Sequence, residues 1–267
     1  MTIKKIIIGG ASITDSPWFT WADFLQQESG MPIVDISARG VGNEYIASSI
    51  VNVQSQLDNT TLVVLMLTNI DKFDWYVQGQ QLKNLENEKH CPKKLTNDSG
   101  FWCTGSWFPG DKEIFKNYFY NEDYFCVKTI QQILLLETIC QKTNAVLEIF
   151  FDSPIWTHTD QDIINIGKTQ DYTSRYNFLS GDYAKSWSTL LAKKHTALDY
   201  NSLIGVWWQN KLPWYNQQYK GHPPSSSHWK FYDNVMRKRL THHLPLVSCH
   251  SQMNNKIEKF DEQWKSC

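Results

Sequence analysis

Four short segments carry residue types that together suit acyl transfer. The first is Gly9-Gly10-Ala11-Ser12-Ile13-Thr14. A serine on a tight, glycine-bounded turn can present its hydroxyl as a nucleophile. The second is Arg39-Gly40-Val41-Gly42-Asn43, where Gly40 lets a substrate approach a bare backbone N–H. The third is Thr68-Asn69-Ile70-Asp71, where the Asn69 carboxamide is a neutral donor. The Ser12 N–H, the Gly40 N–H and the Asn69 side chain together would make an oxyanion hole, in which each donor typically lowers the barrier by about 2.7–4 kcal/mol. The fourth segment, Gly221-His222-Pro223-Pro224-Ser225-Ser226-Ser227-His228, offers two imidazoles late in the chain. An imidazole near its ordinary pKa suits general-base work at neutral pH.

These segments need elements that hold them together. Ile3 to Ile8 is a β-rich run closed by glycine, and Pro32 to Ile36 is a second short strand. Leu62 to Leu67 is almost wholly apolar, as in a strand buried on both faces. Between them, Ser16-Pro17 predicts a helix start, with Ser16 as N-cap and Trp18, Trp21, Ala22 and Leu25 at helical spacing before Gly30. Asn43 is expected to cap a second helix with Ile46, Ile50, Val53 and Leu57 on one face. A long helix is expected from about Asp123 to Lys142, with Val127, Ile130, Leu134 and Leu135 buried. Ala145 to Phe151 is a fourth strand, and Leu203 to Trp208 a fifth. A helix follows Ser227 to about Arg239, and Met253, Ile257, Phe260 and Trp264 mark an amphipathic C-terminal helix. The β-α-β-α-β order implies an α/β fold with a mainly parallel sheet between helix layers. In strand order 2-1-3-4-5 the order reverses between the first and third strands, and ligands bind at such a reversal, beyond the carboxyl ends. Ser12 and Asn69 would face each other there, with Gly40 beside them.

In this arrangement the segments resemble the four blocks of the SGNH hydrolases, also called GDSL-type esterases. Gly10-Ala11-Ser12 resembles the block-one Gly-Asp-Ser, and Gly40 falls at the block-two glycine. Thr68-Asn69 is similar to the centre of the block-three Gly-x-Asn-Asp, and His222-Pro223 to the last block. The Ser-x-Thr form and the His-Pro-x-x-x-x-His ending look like a variant found in phage and environmental bacterial chains. The resemblance covers the first 75 residues or so, the helix and strand at about 125–153, and the segment at about 220–240. It implies a three-layer α/β/α fold and ester hydrolysis through an acyl-serine, with neither metal nor organic cofactor. The chain departs from the blocks at Ala11, at Leu67 and Ile70 around Asn69, and at Tyr219, where the family has the aspartate that orients the histidine. Loss of that orienter can cost several orders of magnitude in rate. A Ser–His dyad, or a carboxylate from elsewhere such as Asp152 or Asp71, would substitute.

Composition narrows the classes further. The chain has 267 residues, 26 Lys+Arg against 27 Asp+Glu, and a net charge of -1, which argues against a general nucleic-acid binder. The basic run Arg237-Lys238-Arg239 suits the solvated last turn of a helix. No apolar run is long enough to span a membrane, and Met1 to Ile8 lacks the features of a signal peptide, so a cytoplasmic protein is expected. With 267 residues a single domain, 1–267, is expected, with an aromatic-rich insertion at about 77–122 and an irregular segment at about 155–220. The six cysteines are expected to be free thiols, and His90, Cys91 and Cys103 alone do not make up a metal-ligand set. The 14% aromatic content serves packing and could also line a groove for sugars.

Each residue also has a plainer reading. Ser12 could be only a turn or cap residue, Gly40 a backbone requirement, and Asn69 an ordinary cap. His228 is better read as a packed first-turn helix residue than as the base, and Asp71 and Asp74 as surface or structural groups. Three functions fit the pattern. The first is a serine esterase acting on a small acyl ester, such as a carbohydrate O-acetyl group. The second is an acyltransferase on the same scaffold, and the third a non-catalytic SGNH-like module that binds a glycan or a protein.

Overall fold

The computed structural model describes residues 2–16, 18–68, 72–79, 93–96, 99–104, 122–152, 203, 222–247 and 250–266. Four parallel strands form the main sheet: β1 (Lys5–Gly10), β2 (Ile33–Asp35), β3 (Thr61–Leu67) and β7 (Val146–Phe151). Their order is β2-β1-β3-β7, so the chain moves outward from β1 first on one side and then on the other. This is the expected 2-1-3-4 order through the fourth strand. Of the expected fifth strand only Leu203 is described, and it is helical, buried against the helix layer that contains Trp21 and Phe24.

The period-two alternation of the strands decides which side chains enter which layer. Ile7, Val63, Leu65, Leu67, Ile149 and Phe151 point into one apolar cluster, under α2 (Asn43–Asn52) and α3 (Glu122–Thr143). Ile6, Ile8, Leu62, Val64, Met66 and Phe150 point into the other. That second face is covered by α1 (Trp21–Ser29), α4 (Ser225–Phe231) and α5 (His250–Ser266). α4 continues through a π-helical turn, Tyr232–Met236, into a last α-helical turn, Arg237–Leu240. Each fully buried Ile, Leu or Val contributes about 1.5–3 kcal/mol, so the two faces supply most of the drive to fold.

Several local expectations need correction. α1 starts at Trp21, not after Ser16, because Thr20 and Asp23 form a capping box. The Thr20 hydroxyl accepts the Ala22 N–H, and Asp23 Oδ2 accepts the Thr20 N–H at 2.7 Å. The helix ends at Gly30, whose φ of +60° suits the left-handed stop. Asn43 is the first residue of α2 rather than its cap; the cap position is Gly42. On α3, Leu135 is exposed, and Ile133 and Leu136 take the core positions beside Val127 and Ile130. The run Arg237-Lys238-Arg239 is not simply solvated. Arg237 pairs with the buried Glu28 at 3.0 Å, and Arg239 pairs with Glu148.

The aromatic-rich region departs from the parallel pattern earlier than expected. β4 (Phe73–Gln78), β5 (Lys93–Thr96) and β6 (Ser99–Thr104) form a separate antiparallel sheet in the order β4-β6-β5. The rest of the expected 77–122 insertion and nearly all of 155–220 lie outside the described residues. Among the described residues no helix is long and apolar enough to cross a membrane.

Candidate active site

Ser12 stands on a turn that leaves the carboxyl end of β1. The Ala11 carbonyl accepts the N–H groups of Thr14 at 2.9 Å and Asp15 at 3.0 Å, and the Ser16 hydroxyl donates to the Ser12 carbonyl. This tight path explains the glycine before it. A Cβ on Gly10 would lie 2.0 Å from Thr14 Oγ1. Thr14 in turn is held by α1. Trp21 Nε1–H donates to its hydroxyl at 3.2 Å, and the Thr20 hydroxyl lies 3.2 Å from its carbonyl oxygen. Ala11 is buried in the cluster under α2 and α3, and Ile13 in the opposite cluster. Ser12 is therefore suspended over the sheet crest between two anchored neighbours, and is itself half-buried.

The loops after β2 and β3 reach the same crest. The Ala38 N–H donates to the Gly10 carbonyl at 3.0 Å, which places Gly40 two residues past that contact, as Ser12 is two past Gly10. Gly40 is exposed and has φ +68°, a conformation that favours glycine. Arg39 ties this loop to the serine turn: its Nε–H donates to the Asp15 carbonyl at 3.0 Å and lies 3.5 Å from the Asp15 carboxylate. On the other side, Gly10 is in register with Met66, so Thr68 lies two residues past that pair, as Ser12 does on its own strand. Asn69 and Asp71 lie outside the described residues.

His222 comes to this crest from far along the chain. Its Nε2 lies 2.8 Å from Ser12 Oγ, across 210 positions. With Nε2 unprotonated, the serine hydroxyl donates to it, the geometry a general base requires. The Trp18 indole meets the imidazole edge-on, with ring centroids 5.9 Å apart and an interplanar angle of 75°. Trp18 is buried, so the contact gives His222 a fixed wall. Two buried prolines, Pro223 and Pro224, stiffen the link from His222 into α4. Pro224 has no side-chain hydrogen bond to offer as a cap, and Asp261 of α5 accepts the Ser226 N–H at 3.2 Å in its place.

The other expected acid–base groups are placed differently. His228 is in the first turns of α4 and fully buried, and among the described residues neither ring nitrogen has a hydrogen-bond partner. Burial, with a further contribution from the nearby His222, pushes its pKa down to about 3. It is packed and neutral, and makes no hydrogen bond to the Ser12–His222 pair. Asp152 lies just past β7 and is buried; its N–H donates to the Leu67 carbonyl at 2.8 Å. Among the described residues no three His, Cys, Asp or Glu side chains gather to hold a metal ion. His90 and Cys91 lie outside the described residues, as does the Cys103 side chain.

Sequence reasoning missed four supports of the site. Trp18 was assigned to a helix face; only its nearness to Ser12 could have hinted at a role beside His222. Thr20-x-x-Asp23 is a legible capping pattern that Ser16-Pro17 obscured. Asn43 and Asp74 act across long sequence separations. Asn43 Nδ2 donates to the Thr68 carbonyl at 2.9 Å, and its Oδ1 accepts the Thr68 N–H at 2.8 Å. The Asp74 carboxylate accepts the N–H groups of Gly42 at 2.8 Å and Tyr45 at 2.7 Å, and so caps α2 from β4.

The described residues thus define an α/β protein with a serine–histidine pair at the carboxyl crest of a parallel sheet. No protein-family model and no curated protein matches the chain. Two solved structures overlap most of its length. One, a member of the lipolytic G-D-S-L family from Veillonella parvula, has 11% identity, covers 87% of this chain and 96% of its own, and gives a TM-score of 0.45. The other, assigned to the same family in Desulfitobacterium hafniense, has 12% identity, coverages of 88% and 98%, and a TM-score of 0.43. Likeness of this degree leaves the functional reading to the site's own residues.

Proposed function

We propose that this chain is a serine hydrolase of the SGNH type that cleaves a small acyl ester, with an O-acetyl group on a carbohydrate as the substrate class. The observation that carries the reading is the 2.8 Å contact between Ser12 Oγ and His222 Nε2, made at the strand ends where ligands bind in open α/β sheets. Ser12 Oγ attacks the ester carbonyl carbon while His222 Nε2 takes its proton. The negative charge on the carbonyl oxygen falls to the Ser12 and Gly40 N–H groups and the Asn69 carboxamide. His222 then protonates the departing alcohol oxygen, leaving an acyl-serine. Water attacks that ester with His222 again as base, releasing the acid and restoring the Ser12 hydroxyl. Small acyl groups suit a nucleophile whose partner His222 is backed by the buried Trp18 indole. The aromatic content of 14% supports a sugar as the alcohol partner.

The test is hydrolysis of a p-nitrophenyl ester series from acetate upward, followed by release of acetate from acetylated sugars. Fastest turnover is expected on acetate, with Ser12→Ala reduced to the buffer background. Equal rates for the two proteins would rule out the serine mechanism.

A further inference from the structure

Asn43 does work that neither its helix nor the apolar core requires. It opens α2, yet it does not cap it. Gly42 supplies no side chain, and the Asp74 carboxylate takes the free N–H groups of Gly42 and Tyr45. The Asn43 carboxamide instead crosses to the carboxyl end of β3 and pairs with both backbone groups of one residue. It donates to the Thr68 carbonyl at 2.9 Å and accepts the Thr68 N–H at 2.8 Å. Its second amide hydrogen faces Thr129 Oγ1 of α3 at 3.4 Å. Asn43 and Thr68 are both buried. A two-point amide–peptide pair fixes direction as well as distance. Among side chains of this length, only a carboxamide carries the donor and the acceptor side by side.

The chain meets the same helix turn again at Lys72 and Asp74. A Cβ on Gly42 would lie 2.5 Å from the Lys72 carbonyl oxygen, so the chain returns tightly against α2 at Lys72, and Asp74 holds Gly42 two residues later. The first turn of α2 is thus held at two places, by Thr68 and by Lys72 with Asp74, and Thr68 immediately precedes Asn69 in the sequence.

We propose that Asn43 is a positioning residue for acyl transfer: its carboxamide fixes the Thr68 peptide at the end of β3, the residue next to Asn69, the oxyanion donor of the reading above. This inference rests on the serine-hydrolase reading above. Asn43 touches no substrate. Its effect falls on the transition state, because a donor displaced by about 1 Å still admits the ester but no longer meets the oxyanion.

The experiment compares wild type with Ser12→Ala, Asn43→Ala, Asn43→Asp and Glu28→Gln, measuring kcat and KM on p-nitrophenyl acetate and Tm for each. Asn43→Asp keeps the shape and the acceptor but loses the donor. Glu28→Gln weakens an ion pair on the other face of the sheet and serves as a destabilised control. In Asn43→Ala, kcat is expected to fall on the order of 100-fold with KM nearly unchanged. Asn43→Asp should lose at least about tenfold, while Glu28→Gln lowers Tm and keeps its kcat. Wild-type kcat in both Asn43 variants, with only Tm lowered, would overturn the proposal. If Asn43→Ala does not fold, Asn43→Asp decides; failure of both to fold would assign Asn43 to the fold and overturn the proposal as well. Equal turnover by wild type and Ser12→Ala would remove the hydrolase reading itself, and this inference with it.

Discussion

The two helices that follow the site's loops solve the same problem with different strength. α2 follows the loop bearing Gly40, and α4 follows His222-Pro223-Pro224. Neither has a capping side chain of its own, because Gly42 and Pro224 hold the cap positions. Both are capped by an aspartate from elsewhere in the chain. Asp74 is buried and takes two N–H groups at 2.8 and 2.7 Å, whereas Asp261 is half-buried and takes one at 3.2 Å. The side of the crest assigned to oxyanion binding is thus held by a buried, two-point brace, reinforced by Asn43. The side bearing His222, the proposed base, relies on proline stiffness, the Trp18 wall and the burial of α4 at His228. A donor for a transient charge has to be in place before the reaction, while a base that gives and takes a proton tolerates some play.

This contrast can be broken or sharpened by substitution. The largest effect is expected at the base itself. His222→Ala should lower kcat on p-nitrophenyl acetate by about 10⁴-fold or more, with the fold intact by circular dichroism. Next comes the stronger brace. Asp74→Ala leaves two buried N–H groups unmet, and urea unfolding should show a loss of about 3 kcal/mol.

A third expectation concerns the buried imidazole beneath the base. His228 stays neutral in the folded protein down to about pH 3, whereas its ordinary pKa is 6.5. Below that value the unfolded chain takes up a proton that the folded chain refuses, so stability falls as pH drops through this window. Between about pH 6.5 and pH 5 the loss from this group is about 2 kcal/mol. His228→Leu should flatten that part of the stability–pH curve; an unchanged slope would show that the imidazole charges in place. The smallest effect belongs to the weaker brace. Asp261→Ala should cost only about 0.5–1 kcal/mol, measured the same way. A loss as large as that of Asp74→Ala would erase the asymmetry.

How much of this was legible beforehand follows the range of the interactions. The strands were readable because β-branched and apolar runs such as Ile6-Ile7-Ile8 and Leu62 to Leu67 state their own burial. Ser12, Gly40 and His222 stand out in the sequence because glycine, serine and histidine lie just past such runs or just before a helix. The start of α1 was misplaced because two local signals competed, and the Thr20–Asp23 box prevailed over Ser16-Pro17. Leu135 is apolar but exposed, because the spacing around the helix turns Ile133 and Leu136 inward and they define the buried stripe of α3. Asn43, Asp74 and Asp261 were not readable as braces. Each acts on backbone groups 25 to 35 positions away, and nothing in the local pattern marks a side chain whose partner is a distant peptide group.

The most direct test of the central claim is covalent. A fluorophosphonate probe should phosphonylate Ser12 Oγ with loss of fluoride, and peptide mapping by mass spectrometry should find the adduct on the peptide containing Ser12. Labelling is expected to be absent in Ser12→Ala and strongly slowed in His222→Ala. An unlabelled wild-type protein, or one labelled equally well after Ser12→Ala, would contradict the assignment of Ser12 as a nucleophile activated by His222.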